Sequence, residues 1–274
     1  MEFKAIHILC DDEISETLSF LLQENGYEGT SFEKNQLIAY CKASNFDSLA
    51  LKSILQPFNI EPDKILDIGL QNWNQIWESN FKEAYIGDYI HVRAPFHPAK
   101  KIKHDIIILP KMAFGTGHHE TTQLSAIALE KLDCKNKIVL DMGCGSGLLA
   151  ILASQKEAKK IVAIDYDQNC IDNTNENIQL NRVKNVFTMK DDSLSKIKDG
   201  IDIIVSNIVK NINLKLLPQF ADKLTENGIL ILCGFLTEDF DKLIQESIKY
   251  GFSLTDKNTQ NGWLQTQFIK KNVD

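Results

Sequence analysis

Three glycines, at positions 143, 145 and 147, stand between a short apolar run, Ile138 to Leu140, closed by Asp141, and a second apolar run, Leu148 to Ala153. Strand, glycine turn and helix in that order make a nucleotide-binding crossover, because glycine lets backbone approach a ligand where a Cβ would clash. A tight strand-to-helix turn with no ligand has the same pattern. The dinucleotide fingerprint G-x-G-x-x-G needs its third glycine at position 148, where this chain has Leu148. A ligand without a pyrophosphate fits better. The next apolar strand, KKIVAID, ends in Asp165, 22 residues beyond Gly143. Ligands of doubly wound sheets bind outside the carboxyl ends of strands, and a carboxylate there accepts both hydrogen bonds of a ribose diol. Asp167 is the next acid and suits the cap of a helix starting at Gln168.

Three more places carry polar groups near strand or helix ends. A third strand gives way to Lys190-Asp191-Asp192-Ser193. One of these acids, with Asp192 as the candidate, suits the exocyclic amine of an adenine; a solvated acidic turn reads the same way. The fourth strand, GIDIIVSN, finishes at Asn207, whose amide can hold a nitrogen nucleophile beside a donor group or can simply close the strand. Upstream lies MAFGTGHHETTQL, Met112 to Leu124, in which Thr121 and Thr122 suit a ligand carboxylate or a helix cap. That segment is no phosphate loop, since G-x-x-x-x-G-K-[ST] is absent, and His118, His119 and Glu120 do not make H-E-x-x-H. No metal site is expected.

The elements that must position these groups follow from hydrophobic period and breakers. Residues 1–70 alternate as β-α-β-β-α-β, the order of a ferredoxin-like domain: strands near 3–9, 27–33, 36–41 and 64–69, and helices near 11–24 and 46–55, the second stopped before Pro57. Residues 71–104 read as an aromatic-rich linker, with Trp73 and Trp77 on one face of a short helix. From 105 to 274, strands and helices alternate as in a doubly wound α/β sheet, beginning with a strand at 106–109. Two late strands around the turn Asn261-Gly262 give it an antiparallel edge.

Composition bounds the partners. The chain has 274 residues, 43% of them hydrophobic and 24% charged, enough for a core and for solubility. No apolar run is long enough to span a bilayer, and MEFKAIHILCDDE lacks a signal-peptide cleavage site. Six scattered cysteines without a C-x-x-C pair read as reduced thiols of a cytoplasmic protein. The net charge of −7 lies wholly in residues 1–100, which hold 8 Lys/Arg against 15 Asp/Glu, while the remainder holds 22 of each. An acidic module disfavours nucleic acid and favours a basic partner. Charge for solubility alone is the plainer alternative.

The pattern G-x-G-x-G resembles the first motif of class I S-adenosylmethionine-dependent methyltransferases. Taken in order, AFGTGHHETT, VLDMGCGSGLLAI, AIDYD and SNI resemble the bacterial methyltransferase family of large-subunit ribosomal protein eleven, over nearly the whole chain. The resemblance implies a ferredoxin-like recognition domain, a Trp-containing linker (WNQIWESNF) and a class I methyltransferase domain. It implies that Thr122, Gly143, Asp165 and Asn207 contact S-adenosylmethionine, to which the strand and turn reading adds Gly145 and Asp192. Asn207 would position the amine. Implied too is methylation of amino groups, on lysine side chains and an N-terminal amine, of a basic ribosomal protein docked by the acidic N-terminal domain. The enzyme is expected to be a monomer needing no nucleic acid and no membrane. The chain departs from the family pattern at Lys111 and at His118-His119-Glu120. After Asn207 it has Ile208-Val209-Lys210 and not the Pro-Pro-Tyr of many amide and adenine methylases, which suits a tetrahedral amine. A methyltransferase of another protein, of RNA or of a small molecule, or a non-catalytic S-adenosylmethionine-binding protein, would share the C-terminal motifs.

Overall fold

The computed structural model describes residues 3–33, 35–68, 82–109 and 115–271. The chain divides into two compact units, Met1–Asn80 and Phe81–Asp274.

The smaller unit runs β1 (Phe3–Leu9), α1 (Asp12–Glu24), β2 (Gly29–Glu33), β3 (Gln36–Lys42), α2 (Ser48–Leu55) and β4 (Pro62–Ile68). Its antiparallel sheet has the order β2-β3-β1-β4. The expected β-α-β-β-α-β order is therefore present. Local chemistry starts each helix. Asp11 accepts from the Ile14 N–H at 2.9 Å, and Asp47 accepts from Leu49 and Ala50. Alternate strand residues Ile6, Ile8, Leu37, Ala39 and Cys41 then bury against Leu18, Leu22, Leu51 and Leu55 of the helices.

The larger unit opens with β5 (Ala84–Ile86), β6 (Ile90–Arg93) and β7 (His104–Ile107), a three-stranded sheet of its own. After it come α3 (Glu120–Lys131), β8 (Ile138–Met142), α4 (Leu148–Gln155), β9 (Lys160–Asp165), α5 (Gln168–Leu180), β10 (Val186–Lys190), β11 (Ile201–Asn207), α6 (Lys210–Lys223), β12 (Leu224–Leu236), α7 (Phe240–Ile248), β13 (Phe252–Gln260) and β14 (Trp263–Lys270). The seven-stranded sheet has the order β10-β9-β8-β11-β12-β14-β13. Its first five strands are parallel, and β14 runs antiparallel between β12 and β13. Asn261 and Gly262 close that edge hairpin with φ of 48° and 81°, as a two-residue turn of primed type requires. Both sheet faces are covered. One apolar cluster joins Val139, Ile161, Val205 and Ile231 to α3 and α4; the other joins Leu140, Ile164, Ile204 and Leu232 to α6 and α7. Helix α4 is apolar all round, and Leu148 to Ala153 are all buried.

One expected strand has a different partner. Residues expected to begin the large sheet form β7, which pairs in parallel with β6. The physical reason lies along its second edge. The Ile107 and Leu109 N–H groups donate to the side chains of Asn181 and Asn177 at 2.9 and 2.8 Å, so amide side chains stand where a neighbouring strand would. Strands β5 and β6, at 84–86 and 90–93, are too short for hydrophobic period to reveal. The expected helix with Trp73 and Trp77 lies outside the described residues. Among the described residues no helix is long and apolar enough to cross a membrane.

Candidate cofactor and acceptor site

The glycine turn is fastened from three sides. Gly143, Gly145 and Gly147 have φ of 75°, 53° and 80°, a region that L side chains rarely adopt. The Gly143 and Cys144 N–H groups both donate to the Ile164 carbonyl of β9, at 2.8 and 2.9 Å. Helix α5 holds the turn's own carbonyls: the Thr174 hydroxyl donates to Gly145 O at 2.9 Å, and the Asn177 amide to Ser146 O at 2.8 Å. The Ser146 hydroxyl donates in turn to Gly115 O at 2.6 Å, joining the turn to the segment before α3.

Gly147 has no side chain to cap α4. Asp141, at the end of β8, supplies the acceptor instead: its Oδ2 accepts from the Ala150 N–H at 3.0 Å. Its Oδ1 has no hydrogen-bond partner among the described residues. Burial, with the Asp165 charge adding to it, pushes this carboxyl up to about 7, while the Ala150 N–H pulls the other way.

Asp165 is the last residue of β9 and only 6% exposed. Its Oδ2 accepts from the Gly145 N–H and its Oδ1 from the Asp167 N–H, both at 3.0 Å. The Cys170 thiol is a further hydrogen-bond partner of this carboxylate, whose two oxygens together still have capacity for a ligand donor. Asp167 caps α5 by accepting from the Asn169 N–H at 2.9 Å. On the next strand end, Asp191 is committed to its own turn: it accepts from Asp192 N, Ser193 N, the Ser193 hydroxyl and Lys196 Nζ. The Lys196 bond comes first among the causes that bring its carboxyl down to about 2. Asp192 beside it is exposed.

A small cleft is lined by Gly115, Thr122, Gly143, Cys144, Ser146, Leu148, Leu149 and Asn207. Three of the sequence candidates, Thr122, Gly143 and Asn207, thus meet around one space. Asp165 and Gly145 form a hydrogen-bonded pair on the β9 side of the turn, and no described contact joins Asp192 to either group. The Thr122 hydroxyl is buried with no hydrogen-bond partner among the described residues, although the residue sits in the first turn of α3. A buried hydroxyl left without a bond costs about 1–3 kcal/mol, and a polar ligand group in the cleft would recover it. Asn207 ends β11 with 9% exposure, and its side-chain amide makes no hydrogen bond among the described residues.

The two histidines have structural duties. His119 is the N-cap of α3, its Nδ1 accepting from the Thr121 N–H, and its ring meets Trp263 edge-on at 5.1 Å. The His118 Nε2 lies 2.9 Å from the Lys82 carbonyl, to which it donates, and its Nδ1 is 3.3 Å from the Thr116 hydroxyl. Lys111, Met112, Ala113 and Phe114, the first part of the AFGTG motif and its flank, lie outside the described residues. Sequence reasoning missed Thr174, Asn177, Asn181 and Asn213. The first three recur at helical spacing along α5 and its C-cap, Asn181, a polar stripe that reads as a solvated face but holds backbone.

The model of the ribosomal protein L11 methyltransferase family matches residues 53–271. This chain belongs to that family. A ribosomal protein L11 methyltransferase of Phocaeicola vulgatus is 35% identical over 270 residues, covering 96% of each chain. That of Porphyromonas gingivalis is 39% identical over 267 residues, 92% of this chain and 89% of its own. Among solved structures, the ribosomal protein L11 methylase of Lactobacillus delbrueckii subsp. bulgaricus aligns with a TM-score of 0.65 and 29% identity, over 70% of this chain and all of that one. The class I methyltransferase reading of the large sheet and its antiparallel edge agrees with family membership.

Proposed function

We propose that the chain is an S-adenosylmethionine-dependent methyltransferase of ribosomal protein L11, acting in the cytoplasm on amino groups of that protein. The observation that carries this reading is the match to the Phocaeicola vulgatus relative, which spans 96% of both chains and so includes both units. In support, Thr122, Gly143 and Asn207 line one cleft whose Thr122 hydroxyl has no hydrogen-bond partner among the described residues.

The residue roles follow from their chemistry. Asp165 holds the ribose diol with the lone pairs it does not spend on Gly145, Asp167 and Cys170. Thr122 donates its unpartnered hydroxyl to the amino-acid carboxylate of the donor. Gly143 and Gly145 bring backbone close to it, and Asp192 takes the adenine amine. Bound S-adenosylmethionine supplies a sulfonium methyl, already attached to a good leaving group. What the protein must add is alignment of the acceptor and removal of water. A lysine of pKa about 10.4 is protonated at neutral pH, and freeing its lone pair costs about 4.6 kcal/mol at pH 7. Seating the amine against apolar walls lowers that cost by disfavouring the cation. The Asn207 amide oxygen accepts a hydrogen bond from the neutral amine and aims it. No general base is assigned, since His118 and His119 are engaged by Lys82 and Thr121.

Lysine side chains and the N-terminal amine are the acceptors in this reading, and the acidic N-terminal unit docks the basic substrate. The test is incubation of the purified chain with methyl-labelled donor and, separately, ribosomal protein L11, other ribosomal proteins and ribosomal RNA. Label confined to L11 is expected. Label in RNA, or none in any of these, overturns the reading.

A further inference from the structure

Strand β11 ends its ladder at Asn207, whose last paired neighbour is Cys233 of β12. Beyond that pair the 207–209 backbone needs another anchor, and one side chain provides it. Asn213, in the first turn of α6, is fully buried. Its amide donates one hydrogen to the Ile208 carbonyl at 3.0 Å and the other to the Cys233 carbonyl at 2.9 Å. Its Oδ1 accepts from the Ser206 hydroxyl at 2.7 Å. A single planar group thus spans the end of β11, the peptide after Asn207 and the end of β12.

The surroundings leave the Ile208 peptide little freedom. A Cβ on Gly234, which has φ of +93°, would stand 2.0 Å from the Ile208 carbonyl oxygen. A Cβ on Gly143 would stand 2.1 Å from Ile208 Cγ2. Real Cβ atoms do not approach so closely, so both glycines leave room for Ile208. The side chain of Ile208 is seated on the glycine turn while its carbonyl is held by Asn213.

We infer that Asn213 is a positioning residue for methyl transfer: through the Ile208 peptide it fixes Asn207 relative to the glycine turn. The inference rests on the functional reading above. Asn213 itself does not line the cleft. Its effect therefore falls on alignment of the acceptor and leaves donor affinity alone, and a misplacement of about 1 Å can cost about a hundredfold in rate.

The test uses the full chain with S-adenosylmethionine and ribosomal protein L11. Asn213→Asp keeps the shape and the bond from Ser206 but replaces two N–H donors by at most one O–H, so that at least one of the two carbonyls loses its partner. Ser206→Ala removes only the hydroxyl that orients the amide, and decides the matter should the buried carboxylate prevent folding. For Asn213→Asp, kcat is expected to fall about 10- to 100-fold while the calorimetric Kd for the donor stays within about threefold. Ser206→Ala is expected to show the same split with a smaller fall. A folded variant with wild-type kcat overturns the inference, and so does a loss of kcat matched by an equal loss of donor affinity. A wild-type chain that transfers no methyl to L11 overturns the functional reading itself, and this inference with it.

Discussion

The Ile208 side chain occupies the space that a β-carbon on Gly143 would need, with 2.1 Å between Cγ2 and the ideal Cβ position. Gly143 carries φ of +75° as well, so both backbone and neighbour exclude a side chain there. A glycine that reads as room for a ligand is first of all room for Ile208. Gly143→Ala should therefore destabilise the chain without any ligand, by about 1–2 kcal/mol from the left-handed backbone alone and more from the clash. Adding Ile208→Ala to it should recover part of the loss in a double-mutant cycle, read by denaturant unfolding. Strict additivity would show that the two residues do not meet.

Thr122 offers two effects of opposite sign. Thr122→Val keeps the shape and deletes a buried hydroxyl that has no partner among the described residues. Thermal unfolding of the ligand-free chain should be unchanged or shifted upward, because an unsatisfied polar atom is gone. Affinity for S-adenosylmethionine should weaken about tenfold, the loss of one hydrogen bond of about 1.4 kcal/mol. Unchanged affinity by calorimetry would remove Thr122 from the donor site.

Asp165→Ala should lose most affinity for S-adenosylmethionine, by about tenfold or more, since hydrogen bonds to a charged group are worth about 1.5–3 kcal/mol. The same change frees the Gly145 and Asp167 N–H groups from their acceptor. An unaltered Kd would refute the ribose assignment.

Asp141 makes stability depend on pH in a stated direction. Its carboxyl, raised from 3.8 to about 7, keeps a proton in the folded chain over a range where the unfolded chain has released it. Its stabilising contribution is full below about pH 4 and is lost as pH rises through about 7. Asp141→Asn cannot ionise and still accepts from the Ala150 N–H. Between about pH 4 and about pH 7 the wild type should lose stability relative to the variant, measured by denaturant unfolding at each pH. Parallel curves would contradict this.

What could be read along the chain was local. Asp165 and Asn207 are strand-end residues, and a strand end is visible as the last polar residue of an apolar run. Helix and strand order in both units follows from period and breakers in the same way. The supports of the site were hidden because they act across distance: Asn177 bonds Ser146 and Leu109, and Asn213 bonds Cys233, each pair 20 or more residues apart. A buried asparagine and a solvated one are the same letter in a sequence. The pairing of β7 with β6 was hidden likewise, since asparagine side chains cover its second edge where a strand was expected. His119 was legible only as a polar residue before a helix; that it is the cap depends on the ring orientation set against Trp263.

Deletion of residues 1–70 separates the two tasks assigned to the chain. Donor affinity should survive, because Thr122, Gly143 and Asp165 all belong to the larger unit. Methylation of L11 should be abolished if the acidic unit docks the substrate. Retained turnover would refute that division.

The proposed reaction is transfer of methyl groups from S-adenosylmethionine to amines of ribosomal protein L11. Its most direct test is peptide-mapping mass spectrometry of unmethylated L11 incubated with the chain and the donor, beside an Asp165→Ala control. Methyl additions on lysine side chains and on the N-terminal amine are expected, and their loss in the control. An unmodified L11, or methyl groups only on carboxylate or amide side chains, would contradict it.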